Sequence, residues 1–221
     1  MIPDYLEYDV FRTDRNCNGG GTMLLVKKWL KPEPINYLNN GAESTWCYVI
    51  IHGTKHFFSS WYRPPSANTA YIKLLKDQID IIKFKDKKHK QPAIHIYGDF
   101  NYPKINWETR LNKDSDQCLS DSDGQGLFDI INEASAEQLV DFSTRGDNLL
   151  DLIITTFPGL YISVDSLDRP SDHDVLRATL KRSHSRKKTP KRQYYQYPKG
   201  NYEAMRTDAK AFTNDTYFNG Y

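Results

Sequence analysis

Ala93-Ile94-His95-Ile96-Tyr97-Gly98-Asp99-Phe100-Asn101 is an apolar run that stops abruptly at a glycine, a carboxylate and an amide. The run reads as a strand over 93–97, and a strand end is where an α/β scaffold presents functional groups. Asp99 and Asn101 are two residues apart, so an extended backbone turns both to one side, where they can converge on a phosphate or a metal. The competing reading is a simple turn in which Asp and Asn bond their own backbone.

Two further stretches bear on that choice. Leu149-Leu150-Asp151-Leu152-Ile153-Ile154 sets one carboxylate inside an apolar strand. Burying it is expensive unless something pairs with it, so Asp151 is expected to face an imidazolium or a metal, or else to sit at a strand edge in water. Ser171-Asp172-His173-Asp174 precedes the last predicted strand. Acids beside His173 favour its charged form, which suits phosphate binding, or proton transfer if an Asp orients the ring.

Outward from these stretches, further strands are predicted over 8–12, 22–27, 46–52, 55–62, 149–155 and 174–180. The segments 46–52 and 55–62, joined around Gly53, read as a β-hairpin. Tyr71, Leu74, Leu75, Ile79 and Ile82 recur at helical spacing and predict an amphipathic helix over 68–84. Leu127, Ile130, Ile131 and Ala134 predict a second helix, capped by the Ser/Asp cluster at 121–123. This mixture predicts an α/β domain. Gly19-Gly20-Gly21 lacks the Lys-Ser/Thr of a phosphate cradle and reads as a tight turn between strands.

The chain has 221 residues, 38 % of them hydrophobic and 13 % aromatic, enough for one domain with a core and a tail. No apolar run reaches the roughly 18 residues of a membrane span, and no membrane partner is expected. Three widely spaced cysteines (Cys17, Cys47, Cys118) support neither a disulfide framework nor a zinc site. The net charge of +2 hides an asymmetry: residues 1–180 carry 20 Lys/Arg against 25 Asp/Glu, a net of −5, and the basic excess follows them. An enzyme of nucleic acid with an acidic body needs metal ions to approach phosphate, which favours metal-assisted chemistry. From Lys181 the run KRSHSRKKTPKR is basic, and it reads as a solvated linker, a nuclear-targeting signal or a nucleic-acid contact. The expected location is nuclear, otherwise cytoplasmic.

Taken together, GDFN, the apolar-flanked Asp151 and the SDH turn, in that order, resemble the endonuclease/exonuclease/phosphatase superfamily. VFRTDRNCNGGG at 10–21, Tyr62-Arg63-Pro64-Pro65 and TRGDNLLDL at 144–152 are similar to the apurinic-type endonuclease domain of non-LTR retrotransposons. RQYYQYPKGNYEAMR at 192–206 resembles the linker that leads in those elements toward a reverse transcriptase.

The resemblance implies a four-layer αββα sandwich of two mixed β-sheets over residues 1–180, with 181–221 as linker or tail. It implies a Mg²⁺-dependent endonuclease, with Mn²⁺ as a substitute, that nicks DNA by attack of water on a phosphodiester to prime reverse transcription. Asp99 and Asn101 would activate the water and hold the phosphate, Asp151 would orient His173, and His173 would bind the phosphoryl oxygen or share in proton transfer. Asp99 and Asp172 would serve the metal, Tyr62 would contact the phosphate or leaving group, and Thr144 and Asn148 would support the site or touch DNA. Family members place a strand bearing Asn and a strand bearing a metal-binding Glu upstream of the matched segment, so the fold is expected to lack its first strands here. Glu7 does not replace that Glu. The alternative implied by the missing Glu is an inactive remnant that keeps the fold.

Overall fold

The computed structural model describes residues 5–16, 20–86, 92–167, 171–181 and 200–215. The chain divides into two compact units, Met1–Ser183 and His184–Tyr221. In order, the first contains β1 (Tyr8–Asp14), β2 (Gly21–Lys27), β3 (Glu33–Pro34), β4 (Glu43–Ile51), β5 (Thr54–Tyr62), α1 (Lys73–Lys85), β6 (Ala93–Asp99), β7 (Ile105–Asn106) and β8 (Leu111–Asn112). It continues with α2 (Gln125–Glu133), β9 (Glu137–Gln138), β10 (Asp151–Thr155), β11 (Tyr161–Leu167) and β12 (Val175–Leu180).

Six strands form one mixed sheet in the order β3-β4-β5-β6-β10-β9, in which β5 and β6 are parallel and the other pairs antiparallel. The β4–β5 hairpin turns at His52 and Gly53, both at positive φ (52° and 81°), the pairing that suits right-twisted strands. The parallel step from β5 to β6 requires a crossover, and α1 supplies it. Gly98 is needed where these two strands meet: a Cβ there would lie 1.6 Å from the carbonyl oxygen of Trp61.

Alternation along the strands sorts side chains between the two faces. Trp46, Phe57, Trp61, Ile94, Ile96, Leu152 and Ile154 belong to one core with Leu75, Ile79 and Ile82 of α1 and with Leu127, Phe128, Ile130 and Ile131 of α2. Both helices therefore cover this face. Gln78 of α1 is buried within it, accepting from the indole N–H groups of Trp46 (3.1 Å) and Trp61 (3.2 Å) and donating to Leu38 O (3.0 Å) and Ser44 Oγ (2.8 Å). α1 begins at Lys73 rather than at 68, because residues 68–75 first close i→i+3 turns such as Tyr71 N to Asn68 O (3.1 Å).

The opposite face carries two antiparallel hairpins, β1–β2 and β11–β12, each a separate two-stranded sheet. Thr13 and Thr22 tie the first to Thr45 and Ser44 of β4 through hydroxyl contacts of 2.7–3.0 Å. The second docks through Tyr161, whose hydroxyl lies 3.0 Å from His95 Nδ1 and 2.6 Å from the Tyr97 hydroxyl. Strand β11 is absent from the sequence reading. Its polar and apolar residues do not alternate cleanly, and its burial comes from that tertiary docking. A large mixed sheet with helices on one face and hairpins on the other is the α/β sandwich expected.

In the second unit, α3 (Tyr202–Asp215) forms where the sequence reading sees only a linker. Asn201 Oδ1 accepts from Ala204 N at 3.1 Å and caps its start. Most of the basic run, residues 182–192, lies outside the described residues. No described helix is long and apolar enough to cross a membrane.

Candidate active site

Register brings four side chains into one row at the end of the large sheet. Glu43 of β4 pairs with Tyr62 of β5, Tyr62 with Asp99 of β6, and Asp99 with Asp151 of β10. By the same alternation that sends Trp61, Ile96 and Leu152 to the helices, all four emerge on the hairpin face. The turn before β12 sets His173 over the end of this row, and its Nδ1 lies 2.8 Å from Asp151 Oδ2. Asp99, Asp151 and His173 present ligand atoms that all lie within 4.8 Å of one another.

Asn101 is spent on Asp99. Its backbone N–H donates to Asp99 Oδ1 at 3.0 Å, and its side-chain amide donates to Asp99 Oδ2 at 2.7 Å and to Arg63 O at 2.9 Å. To do this Asn101 adopts φ of 49°, a left-handed conformation that asparagine tolerates better than most residues. Arg63, which sequence reasoning did not single out, is 5 % exposed and closes the same turn, donating to Asn101 O (3.2 Å) and Ala67 O (2.8 Å). The turn and the site are thus one structure: Asp and Asn bond backbone as a turn does, and that bonding fixes the Asp99 carboxylate.

Burial, and after it the neighbouring Asp151, raises the Asp99 carboxyl above its ordinary value. Two half-buried carboxylates in adjacent register with an imidazole are an unfavourable arrangement for anions alone. The residues present fit a divalent cation, which their oxygen donors suit and whose charge would relieve the repulsion.

The remaining predicted residues separate. Asp172 is exposed and its carboxylate meets Arg145 Nη2 at 2.6 Å, apart from the three-residue cluster. Thr144 is fully buried, so substrate contact is closed to it. Its hydroxyl accepts from the backbone N–H groups of Leu150 (3.1 Å) and Asp151 (3.0 Å), and its carbonyl accepts from Asp174 N (2.8 Å). Thr144 therefore joins the strand that carries Asp151 to the turn that carries His173. Asn148 Oδ1 accepts from Lys113 Nζ at 2.7 Å at the surface nearby. Glu43 has no sequence signal, and Arg145 lies in the TRGDNLLDL stretch without a role assigned to it there; each acquires its place only through a partner far along the chain.

A family model described as endonuclease-reverse transcriptase matches residues 56–177, the span that holds Tyr62, Asp99, Asn101, Asp151 and His173. The chain belongs to this family. The endonuclease-reverse transcriptase assignment lies within the endonuclease/exonuclease/phosphatase superfamily that the motifs resemble. Among solved structures, the endonuclease domain of TRAS1, a telomere-specific non-LTR retrotransposon, has the same fold at 15 % identity, covering 80 % of this chain and 82 % of that one with a TM-score of 0.59. An endonuclease/exonuclease/phosphatase family protein from Leptotrichia buccalis aligns at 11 % identity over 82 % of this chain and 73 % of that one, with a TM-score of 0.49. No curated relative matches.

Proposed function

We propose that this chain is a metal-dependent phosphodiesterase, an endonuclease that nicks target DNA for retrotransposition, working beside a reverse transcriptase in a parent polyprotein. The observation that carries the reading is the convergence of Asp99, Asp151 and His173 from two strands and a turn onto one spot. Such a grouping offers a carboxylate held in one orientation and an imidazole oriented by a second carboxylate, the parts that phosphodiester hydrolysis requires.

Asp151 accepts from His173 Nδ1–H, which fixes the tautomer and leaves Nε2 free to face a phosphoryl oxygen or to move a proton. Asp99, pinned by two bonds from Asn101, is held in one orientation, from which it can position and activate the attacking water. Tyr62, next in the row, stands where it can touch the phosphate or leaving group. Asp99 and Asp151, joined by Asp172 on release from Arg145, would hold Mg²⁺ or Mn²⁺, which when bound neutralises charge developing on the phosphate. The test is nicking of supercoiled plasmid by the purified chain with Mg²⁺ or Mn²⁺, with and without EDTA. Metal-dependent open circles that vanish in His173→Ala support the reading, and equal nicking by that variant defeats it.

A further inference from the structure

The row that contains Tyr62 and Asp99 does not end at Tyr62. On its far side Glu43 Oε1 accepts from Arg15 Nε at 2.8 Å, and the guanidinium carbon of Arg15 stands 5.2 Å from the centroid of the Tyr62 ring. Gly20, at φ of 84°, lies beneath it: a Cβ built there would come within 2.7 Å of that carbon. Three separate parts of the chain thus shape the place of one arginine. The turn after β1 delivers it, the turn before β2 leaves room for it, and β4 tethers it.

The tether is costly. Glu43 Oε2 is buried with no hydrogen-bond partner among the described residues, so the carboxylate spends one oxygen on Arg15 and leaves the other unsatisfied. A clamp that only joined hairpin to sheet is already present in the hydroxyl contacts of Thr13, Thr22 and Thr45. Arg15 keeps 41 % of its side chain exposed, and a guanidinium has five N–H donors, of which the bond to Glu43 uses one. Glu43, the Tyr62 ring and the backbone at Gly20 border it on three sides and leave part of the planar fork accessible, the group with which arginine recognises phosphate.

We infer that Arg15 is a second phosphate contact, taking the phosphate beside the one that faces Asp99 and His173. The inference rests on the nuclease reading above and adds a substrate-binding residue to it. Arg15 is tethered two strands from Asp99, about 10 Å at the usual spacing, within reach of a neighbouring phosphate on the same strand.

The experiment measures binding of a fluorescein-labelled 20-mer DNA duplex by anisotropy across a salt series in Ca²⁺, with no turnover needed. Arg15→Ala is expected to weaken binding roughly ten-fold, the loss of one charge-assisted contact. It should also lower the slope of log K against log salt by about 0.9, one phosphate fewer. Arg15→Lys, which keeps the charge, should keep the slope. Glu43→Gln keeps an acceptor for Arg15 Nε but removes the opposing charge, so it should bind more tightly than the parent chain. A merely structural clamp predicts otherwise: Glu43→Gln and Arg15→Ala would both weaken binding in step with loss of hairpin protection in hydrogen exchange, and the inference would fall. An unchanged slope in Arg15→Ala, with the parent chain binding DNA, overturns this inference alone. A parent chain that does not bind the duplex at all overturns the nuclease reading and the inference with it.

Discussion

His173 and Asp151 stand 22 residues apart in the chain, yet His173 Nδ1 lies 2.8 Å from Asp151 Oδ2, with both side chains about a quarter or less exposed. The contact survives because Thr144 bonds both segments, holding Asp151 N with its hydroxyl and Asp174 N with its carbonyl. A carboxylate inside an apolar strand has thereby found a partner.

If this pair performs proton transfer, Asp151→Asn should leave the fold intact and disorder the imidazole, lowering metal-dependent nicking by on the order of 10²-fold. His173→Ala should cost at least as much, and the double variant little more, because the two act as a unit. Single-turnover nicking rates, with circular dichroism as a folding control, check this. Losses that multiply in the double variant would show that the two residues act separately.

Thr144→Val should weaken the same activity without removing any group that touches substrate. The substitution leaves the N–H groups of Leu150 and Asp151 without their acceptor, at about 1–3 kcal/mol, and loosens the strand that presents Asp151. A lower denaturation midpoint together with a reduced nicking rate is expected. A changed DNA affinity at unchanged stability would instead point to direct contact.

Asp99→Asn should abolish metal-dependent activity and remove the share of the pH dependence of stability that the Asp99 carboxyl contributes. A carboxyl whose folded pKa is raised gives stability that is complete below its unfolded pKa and lost as pH rises through the folded value, so at neutral pH the native state bears the cost. Removing the charge removes that dependence, and the amide nitrogen that replaces one carboxylate oxygen no longer accepts from Asn101, which offsets any gain at neutral pH. Urea midpoints of parent and variant, compared from pH 7 down toward the ordinary carboxylate range, measure it: the difference should move in the parent's favour as pH falls, and a constant difference would contradict the account.

The buried His56–His95 pair predicts acid sensitivity. His56 Nδ1 lies 3.0 Å from His95 Nε2, a contact in which one nitrogen must accept and which therefore needs at least one uncharged ring. Burial, with His52 second for His56 and His56 second for His95, lowers their pKa values to about 4 and about 3. In the unfolded chain both titrate near 6.5, so the unfolded state binds more protons as pH falls below that value, and stability declines toward pH 4. The slope should approach about 1.4 kcal/mol per pH unit for each histidine. The β11–β12 hairpin should loosen first, since Tyr161 is docked on His95. Denaturation midpoints between pH 7 and pH 4.5 test this, and flat midpoints would exclude it.

Gln78→Leu should destabilise the fold by on the order of 3 kcal/mol despite adding apolar surface to the core. It would strand the indole N–H groups of Trp46 and Trp61 and the carbonyl of Leu38 in a dry interior. Thermal unfolding followed by tryptophan fluorescence reads the effect directly.

The sequence by itself determined β1, β2, β4, β5, β6, β10 and β12, though not β11 or the two-residue strands, that α1 and α2 are amphipathic helices, and that Asp99 and Asn101 end one strand segment, Asp151 lies in a second and His173 precedes a third. Those readings depend on local periodicity and on motifs, both complete within a few residues. Only the tertiary structure decided that Glu43, Tyr62, Asp99 and Asp151 form a single row, since register is set between strands up to 108 positions apart, as Glu43 and Asp151 are. It turned Thr144 from a candidate substrate contact into a buried link between two segments, gave Asp172 to Arg145, and docked β11 through Tyr161 on His95 and Tyr97 of β6. Alternation along a strand fixes which side chains share a face. It does not say which strand lies beside it, and the partners of buried polar groups follow from that neighbour.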